Sequence, residues 1–441
     1  MGNTLNKFYG DACNIYNYTT AVTGLECNSA SMSDTWILSI KNGTYYNDVL
    51  LQRIFMKWFI SPLSLPNENT KSLAYEVRVY RDIISPILEN HICPNFIEYL
   101  GSADNCHFSD IVKIGSPSVN ENQIRRSIHF MLNDLPDRPA VTDAEDLNAY
   151  TDDVSNLRFS ILLNEVVKLG TITMTEYIDE TMGASYSLGF TKTSSSFNVA
   201  DYLADYQLLF QIIVACYVMS LARMNHNDLH FGNVFCEPFD MPHTITYEIE
   251  GVLYELPNQQ YLAKIYDYDL SYVTLFGSNE KLVNMDPFFR SGRNIFCAQK
   301  DLISVLATFF RRRVSETLYF SLFLKDAAAM HDKWSDFLFN DDTTFTDEDV
   351  KNDLLTPFQI LQKVGELTQS RSDAQIRGGP FYDASSVYSI SHTAFSAAGA
   401  LLSPNLALQR SHAKLLTELE ECRRKLGESS ADTHSKKRKK I

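Results

Sequence analysis

The sequence predicts an α+β protein with two lobes, a small β-rich lobe with one main helix and a larger helical lobe. Two β-rich runs lie within residues 35–60, whereas helical patterns dominate after residue 169. The chain of 441 residues is also too long for one minimal core. We expect an irregular segment over 1–20, the small lobe over 21–168 and the helical lobe over 169–370.

The small lobe begins with a predicted β-hairpin. Its two β-rich runs are separated by Lys41-Asn42-Gly43, a sequence typical of a tight turn. A helix is predicted over 69–88, closed by Pro86, and a strand over 95–101. The apolar stripe of that helix recurs at helical spacing: Leu73, Val77, Tyr80 and Ile84.

Residues 105–155 are predicted to be an insertion, because they combine several prolines with an acidic stretch. We expect a loop there with a short helix around 124–132. A buried strand follows in "FSILLNEVVKLG", residues 159–170.

The larger lobe is predicted to contain a series of helices around a small β patch. The patch covers 244–268 and turns at Glu250-Gly251. Residues 371–404 are rich in Ser, Gly and Ala, so we expect a flexible linker, followed by a helical, basic tail over 405–441. The predicted helices span 172–182, 201–224, 300–324 and 354–369.

Charge and cysteine content narrow the function classes. A formal net charge of −15 argues against tight, sequence-independent binding of nucleic acid by the body of the protein. The exception is "KKRKK" at 436–440, which is either a nuclear-targeting or nucleic-acid patch or a solvated terminus. The eight cysteines form no C-x-x-C pair, which favours a reducing compartment over a disulfide framework or zinc ribbon.

Neither a secretory leader nor a membrane span is expected. The first ten residues have no apolar core, and Asn6 stands where N-myristoylation of Gly2 would require Ser or Thr. The longest apolar run, residues 208–222, contains Gln211 and Ser220. It is shorter than the roughly 18–20 residues that a span needs, so we expect a buried helix.

The stretch "MNHNDLHFGNVF", residues 224–235, carries the chemistry. Asp228 can orient a hydroxyl group and accept its proton, while Asn233, five residues later, offers an oxygen ligand of the kind that Mg²⁺ prefers. A long buried helix comes directly before this loop and would hold it rigidly, as phosphoryl transfer requires.

The stretch resembles the catalytic loop H-R-D-x-x-x-x-N of the protein kinase superfamily. The resemblance covers roughly residues 20–370. It implies a bilobal protein-kinase-like fold, ATP and Mg²⁺ as cofactors, and a protein substrate phosphorylated on serine or threonine. In this reading Asp228 is catalytic, and His226 packs and hydrogen-bonds the loop.

Further residues match the kinase pattern in the expected order along the chain. Lys57, at the end of a strand, would bind the α- and β-phosphates and pair with Glu76 on the following helix. Asp267 and Asn233 would hold Mg²⁺. The backbone of Glu165 to Val167 would meet the adenine, and Asp301 would brace the catalytic loop.

Departures from the kinase pattern indicate which group of kinases the sequence resembles. Asn28, Ala30 and Ser33 stand where the phosphate-covering loop normally has glycines. Asn227 replaces the arginine that usually meets a phosphorylated activation loop, so such phosphorylation is not expected to be needed. Asp267-Tyr268-Asp269 replaces D-F-G, and no A-P-E follows. These features are similar to haspin-type kinases and to serine/threonine kinases of large DNA viruses, which implies a cytoplasmic or nuclear, or alternatively virion-associated, location.

Two other functions stay open at this level. The catalytic loop also fits a small-molecule phosphotransferase of the same fold, and the eroded glycine loop fits a catalytically weak pseudokinase or scaffold. Each site residue also has an ordinary structural reading: Asp228 as a turn cap, Lys57 as a strand lysine and Glu76 as a solvated helix residue.

Overall fold

The computed structural model describes residues 22–28, 35–46, 49–62, 68–107, 157–165, 199–229, 233–280, 282, 296–310, 316–340, 347–367 and 387–391. These residues form both helices and sheets, as expected for an α+β protein.

The strands of the first half form one antiparallel sheet. Among the described residues it has five strands: β1 (Val22–Asn28), β2 (Thr35–Tyr46), β3 (Val49–Pro62), β4 (Tyr99–His107) and β5 (Leu157–Glu165). Their order across the sheet is β1-β2-β3-β5-β4. Strand β3 lies at the centre of the sheet, with β2 on one side and β5 on the other.

The hairpin predicted over 35–60 is present, but its turn was placed wrongly. Strand β2 continues through Lys41-Asn42-Gly43, and its pairing with β3 shifts register between Ser39 and Thr44. The pairing resumes at Thr44 and continues to Tyr46 opposite Val49. The asparagine and glycine therefore lie in a bulge-like irregularity of β2, where extra residues are accommodated without ending the strand.

The helix predicted over 69–88 is divided into three parts. These are α1 (Glu68–Val79), a π-helical turn (Tyr80–Ile84) and α2 (Ser85–Glu89). Pro86 was predicted to close the helix, but it lies in the first turn of α2. Proline has no N–H and clashes with the carbonyl four residues before it, and the wider π turn accommodates both effects.

The next predicted strand starts later than expected. Residues 95–98 lie outside β4, although Phe96 forms an isolated parallel bridge with Ile265. Most of the predicted insertion, including the helix around 124–132, lies outside the described residues, as do the predicted helix 172–182 and the tail 405–441.

The long apolar segment forms α3 (Val199–Leu221), and every residue from 206 to 219 is buried. Gln211 is tolerated in this interior because its amide bonds Asn95, the backbone of Ala263 and Gln259. In the part of the chain that the structure describes, no helix is long and apolar enough to cross a membrane.

Five more helices follow α3 among the described residues. They are α4 (Lys300–Phe310), α5 (Glu316–Ser321), α6 (Ala327–Asn340), α7 (Asp347–Asp353) and α8 (Pro357–Glu366). The prediction of one helix over 300–324 was wrong at its end, because Leu324 forms an antiparallel bridge with Leu354 instead. Helix α8 starts with a capping box between Thr356 and Gln359.

The predicted β patch is a long hairpin of β7 (Val234–Ile249) and β8 (Val252–Ile265). Its turn is at Glu250-Gly251, as expected, and both residues have the positive φ that a type I′ turn requires (49° and 82°). Two short strands, β6 (Met224–Asn225) and β9 (Tyr272–Val273), pair antiparallel beside it.

The flexible linker predicted over 371–404 is wrong at its centre. Residues Tyr388–Ile390 form β10, which pairs in parallel with β7. Ile390 is fully buried in the hydrophobic core. The β-branched and aromatic side chains of this short segment favour a strand, and an open edge of β7 was available to receive it.

We predict that Gly365→Ala destabilises the protein. A Cβ atom at position 365 would lie 2.6 Å from Cε1 of Tyr254 and 3.2 Å from Cε2 of Phe210. We expect the free energy of unfolding to fall by about 1–3 kcal/mol in urea denaturation. Glu366→Ala, a change at the exposed residue that follows, is the control. Its free energy of unfolding should stay within about 0.5 kcal/mol of the wild-type value. If Gly365→Ala is as stable as the control, the packing of α8 against Tyr254 is wrong.

Candidate functional site

The loop after α3 is shaped by one buried carboxylate. Asp301, in the first turn of α4, is 4% exposed and accepts hydrogen bonds from two consecutive backbone N–H groups. Its Oδ2 accepts from the N–H of His226 at 2.8 Å, and its Oδ1 accepts from that of Asn227 at 3.1 Å. These bonds fix the backbone immediately before Asp228.

Asn225 ties the same loop to the segment before α4. Its amide nitrogen donates to the carbonyl of Cys297 at 2.7 Å and to Oδ2 of Asp301 at 3.2 Å. Its amide oxygen accepts from the N–H of Cys297 at 2.8 Å. The polar groups of Asn225 are therefore satisfied by α4 and the residues before it.

His226 connects the loop to the end of β8. Its Nε2 lies 2.8 Å from the carbonyl oxygen of Tyr266. Because a carbonyl can only accept, Nε2 carries the proton. The ring also packs at 5.2 Å from that of Tyr268. The buried Nδ1 makes no hydrogen bond among the described residues, so His226 has the contacts of a packing residue.

Asn233 closes the loop from its far end. Its amide nitrogen donates to the backbone carbonyl of Asp228 at 2.8 Å, which leaves the amide oxygen as the atom that could ligate a cation. Its own carbonyl accepts from the N–H of Tyr266 at 3.1 Å. Tyr266 therefore bonds both His226 and Asn233, and it directly precedes Asp267. Asp228 itself is half-buried.

Lys57 joins three separate elements. It lies in β3 and is 4% exposed. Its Nζ donates to Oε2 of Glu76 in α1 at 3.0 Å and to Oδ1 of Asp267 at 2.6 Å. Burial alone would lower the pKa of Lys57, but attraction by Asp267, Glu76 and Asp269 outweighs it and holds the pKa well above its ordinary value. The ammonium is therefore charged.

The environment disfavours the charge of Glu76, whereas it favours that of Lys57. It is fully buried, and its Oε1 has no hydrogen-bond partner among the described residues. Burial raises the pKa of Glu76 to about 7, against the attraction of Lys57 and with a further contribution from repulsion by Asp267. Two carboxylates thus share one ammonium, and a cation near Asp267 would relieve their repulsion.

Asp267 projects from a constrained backbone. Its φ is 67°, in the left-handed region, and its N–H donates to the hydroxyl of Tyr80 at 3.2 Å. The side chain of Asp267 is 31% exposed, against 1% for that of Glu76. It can therefore meet a ligand from solvent while staying bonded to the lysine.

An aromatic stack backs the site. The rings of Tyr80 and Tyr268 meet edge to face at 4.9 Å, and the other side of Tyr80 stacks on Tyr99 at 6.3 Å. With His226 against Tyr268, the stack extends from β4 to the loop. Such contacts stabilise the relative positions of α1, the sheet and the loop.

The predicted site residues fall into two groups that meet at Tyr266-Asp267. Lys57 is in direct contact with both Glu76 and Asp267, while His226, Asp228 and Asn233 belong to the loop that Asp301 braces from α4. Asn28 and Glu165 lie at the ends of β1 and β5. Ala30, Ser33 and Val167 lie outside the described residues.

The strand register relates Asn28 to the lysine. Asn28 pairs with Thr35, and Thr35 pairs with Lys57 on the neighbouring strand. The end of β1 therefore lies in the same row of the sheet as Lys57.

Sequence reasoning missed several supporting residues. Asn227 was interpreted only as a lost arginine. It adopts a φ of 67°, which asparagine tolerates, donates to the carbonyl of Leu270 at 3.0 Å and accepts from Nζ of Lys300 at 2.8 Å. Tyr80 was interpreted only as a core residue, although its position four residues after Glu76 places it on the same face of the helix.

No protein-family model matches the chain, and no curated protein matches it.

We predict that Asp301→Ala is strongly destabilising. The change leaves the buried N–H groups of His226 and Asn227 without an acceptor, so the free energy of unfolding should fall by about 3 kcal/mol in chemical denaturation. Asp332→Ala, at an exposed position of α6, is the matched control, with an expected change within about 0.5 kcal/mol. Equal stability of the two variants would show that Asp301 does not organise the loop.

We predict a pH-dependent stability difference between the wild type and Glu76→Gln. A carboxyl group whose pKa rises from 4.5 to about 7 on folding favours the folded state below pH 4.5. That contribution is lost as pH rises through 7. The stability of the wild type relative to the variant should therefore fall by about 3 kcal/mol between pH 4.5 and pH 8.

Urea denaturation at a series of pH values measures this difference. Glu366→Gln, an exposed change, serves as the control and should give a nearly constant difference from the wild type. A constant difference for Glu76→Gln as well would mean that the buried carboxyl does not take up a proton on folding.

Proposed function

We propose that this protein is an ATP-dependent serine/threonine protein kinase of bilobal fold that transfers the γ-phosphoryl group to protein hydroxyls. The observation that carries the proposal is the contact of Lys57 with both Glu76 and Asp267, at 3.0 and 2.6 Å. These three residues were selected from the sequence by their resemblance to the protein kinase superfamily. Asp267 is 210 positions from Lys57 along the chain.

The residues present fit Mg²⁺ and ATP. Asp267 and Asn233 offer hard oxygen atoms, and the buried Lys57 offers a fixed positive charge for the α- and β-phosphates. The crowding of Glu76 and Asp267 around one ammonium favours the arrival of a further cation. When bound, Mg²⁺ and ATP supply the phosphoryl group and neutralise the charge that develops on it.

The described residues alone do not provide a full coordination sphere. Among the described residues, no group of three or more His, Cys, Asp or Glu side chains could hold a metal ion. Mg²⁺ typically keeps several waters and binds through one or two protein carboxylates together with substrate phosphates. The sparse donor set is therefore the kind expected for a metal that binds together with a nucleotide.

Asp228 is the proposed catalytic residue. Its carboxylate would orient the acceptor hydroxyl and accept the proton. Asp301 accepts hydrogen bonds from the backbone of the two residues before Asp228, and Asn233 donates one to the backbone carbonyl of Asp228. These bonds support the role because they fix the backbone of Asp228 on both sides. Rigid positioning is the main source of rate in phosphoryl transfer.

The sheet would supply the nucleotide-binding surface. We propose that the connection containing Ala30 and Ser33 covers the phosphates, starting from Asn28 in the row of Lys57. The backbone from Glu165 to Val167, at and beyond the end of β5, would meet the adenine.

We further propose a reducing location, cytoplasmic or nuclear. The free thiols of Cys93, Cys216, Cys236 and Cys297 support it.

We predict that Asp228→Asn abolishes most phosphate transfer. The amide cannot accept the hydroxyl proton, so the rate should fall about 10²–10⁴-fold. The measurement is the transfer of labelled γ-phosphate from ATP to a generic protein substrate in the presence of Mg²⁺.

Asp240→Asn is the matched control, because Asp240 is an exposed aspartate of β7 away from the loop. Its rate should equal that of the wild type. An Asp228→Asn rate equal to that of the control would rule out the assignment. Transfer to a small alcohol or amine, but not to protein, would identify a small-molecule phosphotransferase. Binding of Mg²⁺ and ATP without any transfer would identify a scaffold.

A further inference from the structure

The helical segment that carries Glu76 also carries two tyrosines. Their hydroxyls form hydrogen bonds with the backbone of residues 267–277. The hydroxyl of Tyr80 accepts from the N–H of Asp267 at 3.2 Å. The hydroxyl of Tyr75 accepts from the N–H of Val273 at 2.7 Å and donates to the carbonyl of Gly277 at 3.2 Å. Helix α1 and its π turn thus hold both ends of the segment 267–273.

Packing alone does not require these hydroxyls. Tyr80 is fully buried and Tyr75 is 7% exposed, so each hydroxyl would carry a desolvation cost if it made no hydrogen bond. A phenylalanine at either position would keep the ring contacts with Tyr268 and Phe276. The oxygen atoms are therefore explained by the backbone groups that they bond.

Both hydroxyls are neutral at ordinary pH, and the hydrogen bond that Tyr75 donates to the carbonyl of Gly277 requires this. Burial raises the pKa of Tyr75 and of Tyr80 well above the ordinary value for tyrosine. A neutral hydroxyl can donate and accept at once, as Tyr75 does between Gly277 and Val273.

The opposite side of the same segment is held by the loop. Asn227 donates to the carbonyl of Leu270, and the N–H of Thr274 donates to the carbonyl of Arg223 at 3.1 Å. Strand β9 pairs with β6 on this side. The segment therefore lies between the braced loop and α1, and a shift of α1 would move Glu76 and the backbone of Asp267 together.

We propose that Tyr75 and Tyr80 are positioning residues that align the carboxylate of Asp267 with the loop whenever Glu76 is paired with Lys57. The proposal rests on the proposed kinase function. Neither hydroxyl touches the reacting atoms. Their role is to make the position of the metal-binding carboxylate depend on the position of α1.

The test uses Tyr80→Phe and Tyr75→Phe in the full chain. Each variant leaves a buried backbone N–H of the segment without its acceptor, so we expect kcat to fall about tenfold. The concentration of Mg²⁺ that gives half-maximal activity should rise, because Asp267 is less well placed. The KM for the protein substrate should not change.

Tyr217→Phe is the matched control. Its hydroxyl is also on a buried tyrosine and donates to Oε1 of Glu250 at 2.8 Å, but it lies outside the site. We expect this variant to lose a similar amount of thermal stability while kcat and the Mg²⁺ dependence stay at their wild-type values. Hydrogen exchange of the backbone over 265–277 should speed up in the two site variants and not in the control.

The outcomes separate the two proposals. A kcat within twofold of the wild type in Tyr80→Phe and Tyr75→Phe, or an equal loss in Tyr217→Phe, would overturn the positioning role. A wild-type chain that transfers no phosphate would instead overturn the proposed function. In that case unchanged exchange over 265–277 in the site variants would also show that the hydroxyls do not hold the segment.

Discussion

The site depends on one buried ammonium group that two carboxylates share. Lys57 has lost nearly all contact with water, and its pairing with Glu76 and Asp267 offsets the cost of burying its charge. The three residues come from β3, α1 and the segment after β8. Fixing their mutual distances therefore fixes the sheet, the helix and the segment relative to one another. This explains why residues far apart in the chain converge at one place.

A second constraint is a network of buried hydrogen bonds, most of which are made by uncharged amide side chains. Asp301 and Asn225 satisfy the donors of the loop, and Asn95 and Gln211 link the residues after α2 to β8 through buried amides. Such networks are costly when any member is unsatisfied, so they favour a single arrangement. The charged cluster and the amide network meet near Tyr266. The result is a rigid frame around the more accessible carboxylate of Asp267.

The sequence was most informative where chemistry requires particular residue types. Lys57, Glu76, Asp267 and Asp301 could be selected by motif, because few side chains can replace them in their contacts. The hydroxyls of Tyr75 and Tyr80 could not, because a tyrosine in an apolar stripe has the pattern of any core aromatic. The turn at Lys41-Asn42-Gly43 was misplaced because a bulge and a tight turn use the same residues. Strand β10 was missed because three residues are too few to give a period.

The parallel pairing of β10 with β7 has a consequence for how the chain is divided. A fragment could be made to stop near residue 370, where the resemblance to kinases ends. It would lose the burial of Ile390 and the hydrogen bond that the N–H of Glu250 donates to the carbonyl of Ile390. It would also leave one side of β7 with unpaired backbone groups, which invites association between chains. Shortened versions intended for biophysical work should accordingly retain residues through 391.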